Sequence, residues 1–139
     1  MRVLALLVCL AVAGCKKGPP PAPAEPQPPV TRPSGLVTQV LVPGDGDAAK
    51  KGDKVKVHFV GAVLDGGVFD SSRARNAPFS FWVGEGQVIP GWDEGLLGMK
   101  EGETRRLVVP PLLGYGSDPK PGIPPNSTLV FEIELLDVR

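Results

Sequence analysis

The strongest constraint on the fold comes from residues 128–138, TLVFEIELLDV, where apolar and charged side chains alternate. One face carries apolar residues and the other carries acids: Leu129, Phe131, Ile133 and Leu135 against Glu132 and Glu134. Because successive side chains of a strand point to opposite faces, this pattern predicts a strand with one buried face. Such a strand needs paired neighbours and a layer that covers its apolar side.

Further strand signals recur at short intervals, separated by glycine and proline turns. In DKVKVHFVG the alternation predicts that Val57 and Phe59 point inward and His58 outward. LDGGVFD is typical of a hairpin that turns at residues 65–67 and delivers Phe69 and Asp70 to the returning strand. Three more segments have strand character: LVTQVLV, PFSFWV and ETRRLVVP.

One segment, VIPGWDEGLLGM, predicts a helix. Pro90 suits its first turn and Gly98 a C-terminal stop. The predicted fold is therefore of the α+β class, with an antiparallel sheet of about five strands wrapped around one short helix. A proline-rich loop, residues 111–127, lies between the last two strands, and loops of that length are usually functional or disordered.

The first residues of the chain predict a targeting segment rather than a folded element. Residues 1–14 carry one basic residue and then an apolar run, too short to cross a bilayer but typical of a signal peptide. The following stretch, Val12 to Cys15, resembles the lipobox of bacterial lipoproteins. That resemblance implies that Cys15 is lipidated and anchors the protein to a membrane of the bacterial envelope, facing the periplasm. Lys16 after it favours the outer membrane in a Gram-negative cell.

The next segment, residues 15–35, predicts an extended stalk, because eight of the sixteen residues 18–33 are proline. The folded domain is then residues 36–139. Its slightly acidic charge, with no basic stripe, argues against nucleic acid as a partner. No heptad pattern indicates a dimer, and a monomer is the default.

Elimination narrows the chemistry of the domain. It contains no cysteine and a single histidine, which excludes Cys/His metal sites and Ser-His-Asp or Cys-His nucleophiles, and no cofactor motif is present. Asp93 and Glu94 are interpreted as a solvated helix start, because adjacent helical residues do not face each other. The kind of site that remains is a group of aromatic residues around one carboxylate. Rotation about an X-Pro bond suits such a site, since no bond is broken and an apolar pocket favours the less polar twisted amide.

The sequence resembles the FKBP-type peptidyl-prolyl cis-trans isomerases. The resemblance rests on FDSSR, VIPGW, GYG and GIPPNSTLVFEIELL, which occur in the family's order and approximate spacing over about 100 residues. It implies an isomerase acting on X-Pro bonds of protein substrates, with macrolides as possible inhibitors, no cofactor and no metal. Combined with the lipobox, it implies a lipid-anchored form that assists the folding of envelope proteins.

The resemblance also implies the residues of the site. Trp92 would form the floor of a proline pocket, and the substrate-binding residues would be Phe59, Phe69, Phe79, Val88, Trp92, Ile123 and Phe131. The catalytic residues would be Asp70, Tyr115 and Ile89, with the Ile89 amide and the Tyr115 hydroxyl donating to substrate carbonyls. Arg75 would keep the Asp70 carboxylate ionised and oriented, so that Asp70 positions groups and polarises the substrate amide.

Two departures from the family pattern concern this pocket. Phe59 stands where many members have tyrosine, and Lys120 stands where the best-known eukaryotic members have histidine, in a loop about one residue shorter. Two other functions therefore stay open: a non-catalytic module that binds proline peptides, and a structural envelope lipoprotein with an unused pocket. Without the resemblance, alternating aromatics such as Phe81 are interpreted as core.

Overall fold

The computed structural model describes residues 26–139. The predicted signal peptide, the lipidated Cys15 and the first part of the predicted stalk lie outside the described residues. Within the described range no helix is both long and apolar enough to span a membrane.

Seven strands and one α-helix make up the described part of the chain. The strands are β1 (Val30–Thr31), β2 (Val37–Val42), β3 (Lys54–Val63), β4 (Val68–Ser71), β5 (Phe79–Trp82), β6 (Thr104–Val109) and β7 (Leu129–Val138). The helix is α1 (Pro90–Gly95), and a single 3-10 turn spans Pro111–Leu113.

All strand pairs are antiparallel, and they form one sheet in the order β1-β2-β6-β7-β3-β4, with β5 paired to β3. The long strands β3 and β7 lie at its centre, and the register places Phe59 opposite Ile133 and Gly61 opposite Phe131. The predicted α+β architecture is confirmed. The sheet has more strands than the predicted five because short segments also pair, and their length gives no alternation to detect.

The N-terminal arm, residues 26–35, pairs with the sheet. Val30 lies opposite Thr38 through β1, and the backbone N–H of Gln27 donates to the carbonyl of Val40 at 2.9 Å. Residues that composition assigned to the stalk therefore extend the sheet by one edge. Backbone pairing makes this possible, because it places no demand on apolar side chains.

The core lies between one face of the sheet and α1. The inward residues of the central strands are buried as the alternation predicted, and Leu107, Leu129 and Ile133 have no exposed surface. The helix approaches β6 closely at Gly95, where a Cβ atom would lie only 2.7 Å from a methyl carbon of Leu107. The helix ends at Gly95, three residues before the predicted stop, and Gly98 instead occupies a left-handed turn with φ of 83°.

Candidate active site

The indole ring of Trp92 is the centre of an aromatic cluster. Its centroid lies 5.0 Å from that of Phe59, 5.3 Å from that of Phe131 and 6.2 Å from that of Phe79, and all three pairs meet edge to face. This arrangement is the favoured one for aromatic pairs, because it sets a positive ring edge against a negative ring face. α1 and three strands therefore bring to one place the aromatic side chains that the sequence distributes over more than 70 residues.

A cavity of about 280 Å³ opens beside this cluster. Its size gives room for one small ring, near the lower limit of small-molecule sites. The residues that line it are Phe59, Phe69, Asp70, Arg75, Phe79, Gln87, Val88, Ile89, Trp92, Tyr115 and Phe131. The structure thus brings together around one cavity all the pocket residues that the sequence predicted, except Ile123.

A glycine on β3 allows this cavity to form. A Cβ atom at Gly61 would lie 2.8 Å from ring carbons of both Phe69 and Phe131. Those two rings meet edge to face with centroids 5.8 Å apart. Any side chain at Gly61 would separate the rings from the strand and disturb the cavity wall.

Asp70 supplies the one carboxylate on the cavity wall. It forms an ion pair with Arg75, and its Oδ1 also accepts the backbone N–H of Ser71 at 2.8 Å. Both side chains are partly exposed, so the pair adds little to stability. Arg75 also lies over the ring of Phe59, 6.0 Å from its centroid. The contacts fix the direction of the Asp70 carboxylate at the cavity edge, where it can act on a ligand through its charge.

Tyr115 reaches the cavity from the loop that follows β6. Its side chain is partly exposed, and the ammonium of Lys120 lies 5.7 Å from its ring centroid. Lys120 also pairs with Asp118 at 3.1 Å. The sequence singled out Lys120 only as a departure from the family pattern, and its contact with Tyr115 arises from a loop conformation that the sequence did not reveal.

Ile123 lies apart from the cavity lining. It is buried in the hydrophobic core, and its backbone exchanges hydrogen bonds with Lys120 at 2.8 and 3.1 Å. In this conformation Ile123 shapes the loop that carries Tyr115 rather than the cavity surface.

Gln87 is a lining residue that sequence reasoning missed. Its side-chain Oε1 accepts the backbone N–H of Trp82 at 2.9 Å. Since the oxygen of the amide is occupied, its NH₂ group is the part left to face other partners. No periodicity marks such a residue, because its place depends on the loop between β5 and α1.

Asp93 holds that same loop. Its two carboxylate oxygens accept the backbone N–H groups of Gly84 and Gly86 at 2.8 and 3.0 Å. The interpretation of Asp93 as a solvated helix start is therefore incomplete, because the carboxylate is bound to a neighbouring loop. The loop carries Gln87, Val88 and Ile89, so Asp93 sets the position of one cavity wall.

Two further groups at α1 belong to the site: the backbone carbonyl of Ile89 and the indole N–H of Trp92. The carbonyl of Ile89 accepts N–H groups from Trp92 and Asp93 at 2.9 and 3.2 Å, which fixes the start of the helix. The indole Nε1 of Trp92 is buried without a hydrogen-bond partner among the described residues. A buried donor without a partner is costly and uncommon in folded proteins. In the range 26–139, no group of His, Cys, Asp and Glu side chains is arranged to hold a metal ion.

Comparison with known proteins identifies the family to which this site belongs. Residues 46–136 match the family described as FKBP-type peptidyl-prolyl cis-trans isomerase. FkpA of Escherichia coli K12 is 52% identical over 109 residues, 78% of this chain and 40% of FkpA. Fkbp12 of Drosophila melanogaster, named a peptidyl-prolyl cis-trans isomerase, is 50% identical over 107 residues, 76% of this chain and 99% of the relative. The aligned part of the chain thus spans about 40% of the length of FkpA but nearly all of Fkbp12.

Solved structures share the fold. The crystal structure of FkpA from Escherichia coli matches with a TM-score of 0.74 at 50% identity, over 80% of this chain and 51% of that one. AtFKBP13 matches with a TM-score of 0.75 at 38% identity, over 81% of this chain and 100% of that one. By sequence and by structure, this chain belongs to the FKBP-type peptidyl-prolyl cis-trans isomerases.

Proposed function

We propose that the chain is an active isomerase of X-Pro peptide bonds in protein substrates. The observation that carries the proposal is the cavity of about 280 Å³ with Trp92, Phe59 and Phe131 packed around it and one carboxylate at its edge. Its size and its aromatic walls suit a proline ring.

The proposed mechanism begins with the proline ring placed against Trp92. The Ile89 N–H and the Tyr115 hydroxyl then donate hydrogen bonds to carbonyls of the substrate backbone. These contacts hold the peptide on either side of the X-Pro bond while that bond is free to rotate. Positioning of this kind converts binding energy into a favourable reaction geometry.

The barrier to rotation is lowered by the surroundings of the amide. In the ground state, resonance makes the amide polar, and rotation by 90° removes that resonance at a cost of about 18–20 kcal/mol. Aromatic walls exclude water from the carbonyl, which disfavours the polar planar state relative to the twisted one. Asp70, held by Arg75, adds a fixed negative charge; beside the carbonyl oxygen of the X-Pro amide, it opposes the negative charge that resonance places on that oxygen in the planar state. A reduction of about 4 kcal/mol accelerates the reaction roughly a thousandfold.

Macrolides that present a proline-like ring are proposed to occupy the same cavity as inhibitors. The presence of Lys120 in the proline-rich loop, where the best-known eukaryotic members have histidine, bears on this affinity, because Lys120 contacts the ring of Tyr115. A large ring ligand covers the cavity rim as well as its floor, so rim residues contribute to its binding.

The cellular setting is part of the proposal. Cys15 is lipidated after removal of residues 1–14 and anchors the protein in the bacterial envelope, facing the periplasm and, in a Gram-negative cell, on the outer membrane. The support is the lipobox-like sequence and the proline-rich segment that follows it. From there the domain assists the folding of envelope proteins whose slow step is prolyl isomerisation, a step of tens of seconds without a catalyst.

Two measurements on the purified full chain test the isomerase. In the first, a Trp82→Phe background leaves Trp92 as the one remaining tryptophan, and an Ala-Leu-Pro-Phe peptide is titrated while its fluorescence is recorded. We expect a saturable change that an Ala-Leu-Ala-Phe peptide does not produce. No response to the proline peptide would support the structural lipoprotein.

The second measurement separates catalysis from binding. A protein whose refolding is limited by prolyl isomerisation is refolded with and without the chain. We expect the slow phase to accelerate in proportion to the amount added. Binding of the proline peptide without any acceleration would favour the non-catalytic binding module.

A further inference from the structure

The pocket helix α1 is too short to be stable alone. It has six residues, two of them glycine, and no basic residue in its last turn. Helices of fewer than about 12 residues are marginal in water, and the last carbonyls of any helix lack partners within it. The last carbonyls of α1 therefore need partners outside the helix, and side chains elsewhere in the chain can supply them.

One partner comes from the sheet. Arg105 on β6 donates from Nη1 to the carbonyl of Gly95 at 3.1 Å and, more weakly, to that of Leu97 at 3.4 Å. Its Nε pairs with Glu103 at 2.6 Å, and both side chains are at least nine-tenths buried. These hydrogen bonds and this ion pair lie inside the folded domain.

The second partner comes from the N-terminal arm. Arg32 donates from Nη1 to the carbonyl of Glu94 at 3.1 Å and lies 3.9 Å from the Glu94 carboxylate. Ser34 donates from its hydroxyl to the same carboxylate at 2.8 Å. Two arm side chains therefore bind both the backbone and the side chain of one helical residue.

The arm is built to present these two side chains. Arg32 N–H donates to the Leu36 carbonyl at 2.8 Å, and Gly35 N–H donates to the Arg32 carbonyl at 2.9 Å. The turn needs Gly35, whose φ is 94°. Strand β1 and the fully buried Leu36 fix the two ends of the turn against the sheet.

The position of Glu94 connects the arm to the site. Trp92, two residues earlier, lies on the cavity wall, and Asp93 between them holds the loop that carries Gln87. A change in the position of α1 therefore moves Trp92 directly and, through Asp93, the loop that carries Gln87. The arm precedes residue 46, where the family match begins, so Arg32 and Ser34 lie outside the matched region while their partner Glu94 lies inside it.

We propose that Arg32 and Ser34 are positioning residues for the isomerase site, which join the arm to α1 and hold Trp92 in place. This inference rests on the proposed isomerase activity for its kinetic consequence. Without the arm contact, the ordered form of α1 becomes a smaller fraction of the folded protein. A substrate that binds only the ordered form then binds more weakly by that fraction, while the bound complex retains its rate.

The experiment compares Arg32→Ala, Ser34→Ala and the double variant with wild type, in the purified full chain. Arg139→Ala is the matched control, because it removes a surface ion pair with Asp137 that does not involve α1. Amide hydrogen exchange is read at Trp92 and Leu96, whose N–H groups bond within or beside α1, and at Ile133 in the central strand. Isomerase kcat and KM are measured separately.

We expect exchange at Trp92 and Leu96 to accelerate about 5- to 10-fold in the double variant, as for the net loss of about one partly exposed hydrogen bond. Exchange at Ile133 stays at the wild-type rate. KM rises by the reciprocal of the ordered fraction that remains, with kcat nearly unchanged, and Arg32→Lys, which keeps the charge beside Glu94, restores part of the loss.

Two results overturn the proposal: helix exchange and KM equal to those of Arg139→Ala, or exchange that rises equally at Ile133, which indicates general destabilisation. If wild type shows no isomerase activity, the proposed function fails. The exchange data still decide whether the arm holds α1.

Discussion

Tyr115 and Asp70 are polar side chains that the packing of the aromatic cluster does not require. Both lie on the cavity wall and both are partly exposed. Their removal therefore affects bound substrate more than the stability of the fold, and this difference makes them suitable for kinetic tests.

Tyr115→Phe removes one hydroxyl and leaves the ring. We expect kcat/KM to fall about 5-fold, because one neutral hydrogen bond contributes about 1 kcal/mol. The midpoint of urea unfolding stays at the wild-type value, since the hydroxyl is at the surface. A kcat/KM equal to wild type would show that this hydroxyl makes no contact with the substrate.

Gln87→Glu changes the chemistry of the rim without breaking its anchor. One carboxylate oxygen can still accept the Trp82 N–H, and the other replaces the NH₂ group. The variant thus adds a negative charge to the cavity wall that also carries the Asp70–Arg75 ion pair, whose net charge is zero. We expect kcat/KM for Ala-Glu-Pro-Phe relative to Ala-Lys-Pro-Phe to fall about 3- to 5-fold at low salt and recover at high salt. An unchanged ratio at low salt would place the side chain away from the residue before proline.

At this scale the aromatic wall could be predicted from the sequence, whereas the roles of Gln87 and Lys120 could not. Phe59 and Phe131 follow from strand alternation, because burial of one face is a local property of the sequence. Gln87 and Lys120 lie in loops, where the backbone path decides that Gln87 lines the cavity and that Lys120 contacts Tyr115. No pattern along the chain encodes that path.

Among the elements, α1 depends on its glycines. Gly95→Ala favours the helix by up to about 1 kcal/mol in propensity, but the new Cβ atom would lie 2.7 Å from the buried Leu107. We expect a net loss of about 1–3 kcal/mol in the free energy of unfolding, as for overpacked cores. Urea unfolding of Gly95→Ala measures it, with Gly67→Ala as the control because nothing lies within 4 Å of its Cβ position. Equal stability of the two variants would contradict this packing.

Element boundaries were less predictable than element types. The sequence around Trp92 predicts a helix. The helix ends at Gly95, where Arg32 and Arg105 donate hydrogen bonds to its last carbonyls, and no local pattern reveals those contacts. Strand β1 lies in a proline-rich segment whose composition favours an extended stalk. Its pairing depends on the edge of β2, and the composition of the segment itself does not reveal that partner.

At the scale of the whole molecule, the motifs identified the family because they combine core and site residues in one order. The proposed lipid anchor depends on Cys15, which lies outside the described residues. We expect wild type in cells to incorporate labelled fatty acid and to sediment with membranes, and Cys15→Ser to lose both properties. Cys9→Ser is the control, because that cysteine lies in the segment proposed to be removed. Sedimentation of Cys15→Ser with membranes, like wild type, would contradict the lipid anchor.

The central claim is that the aromatic cavity with Asp70 at its edge accelerates rotation about X-Pro bonds. NMR exchange spectroscopy on Ala-Leu-Pro-Phe measures this rate directly for wild type, Asp70→Leu and Asp137→Leu. Asp137 is the matched control, since its side chain is 37% exposed and that of Asp70 38%, and both pair with an arginine. The account predicts acceleration by wild type and Asp137→Leu and a loss of about tenfold or more in Asp70→Leu, about the effect of a charge in a partly dry site. No acceleration by wild type, or equal acceleration by all three proteins, would contradict it.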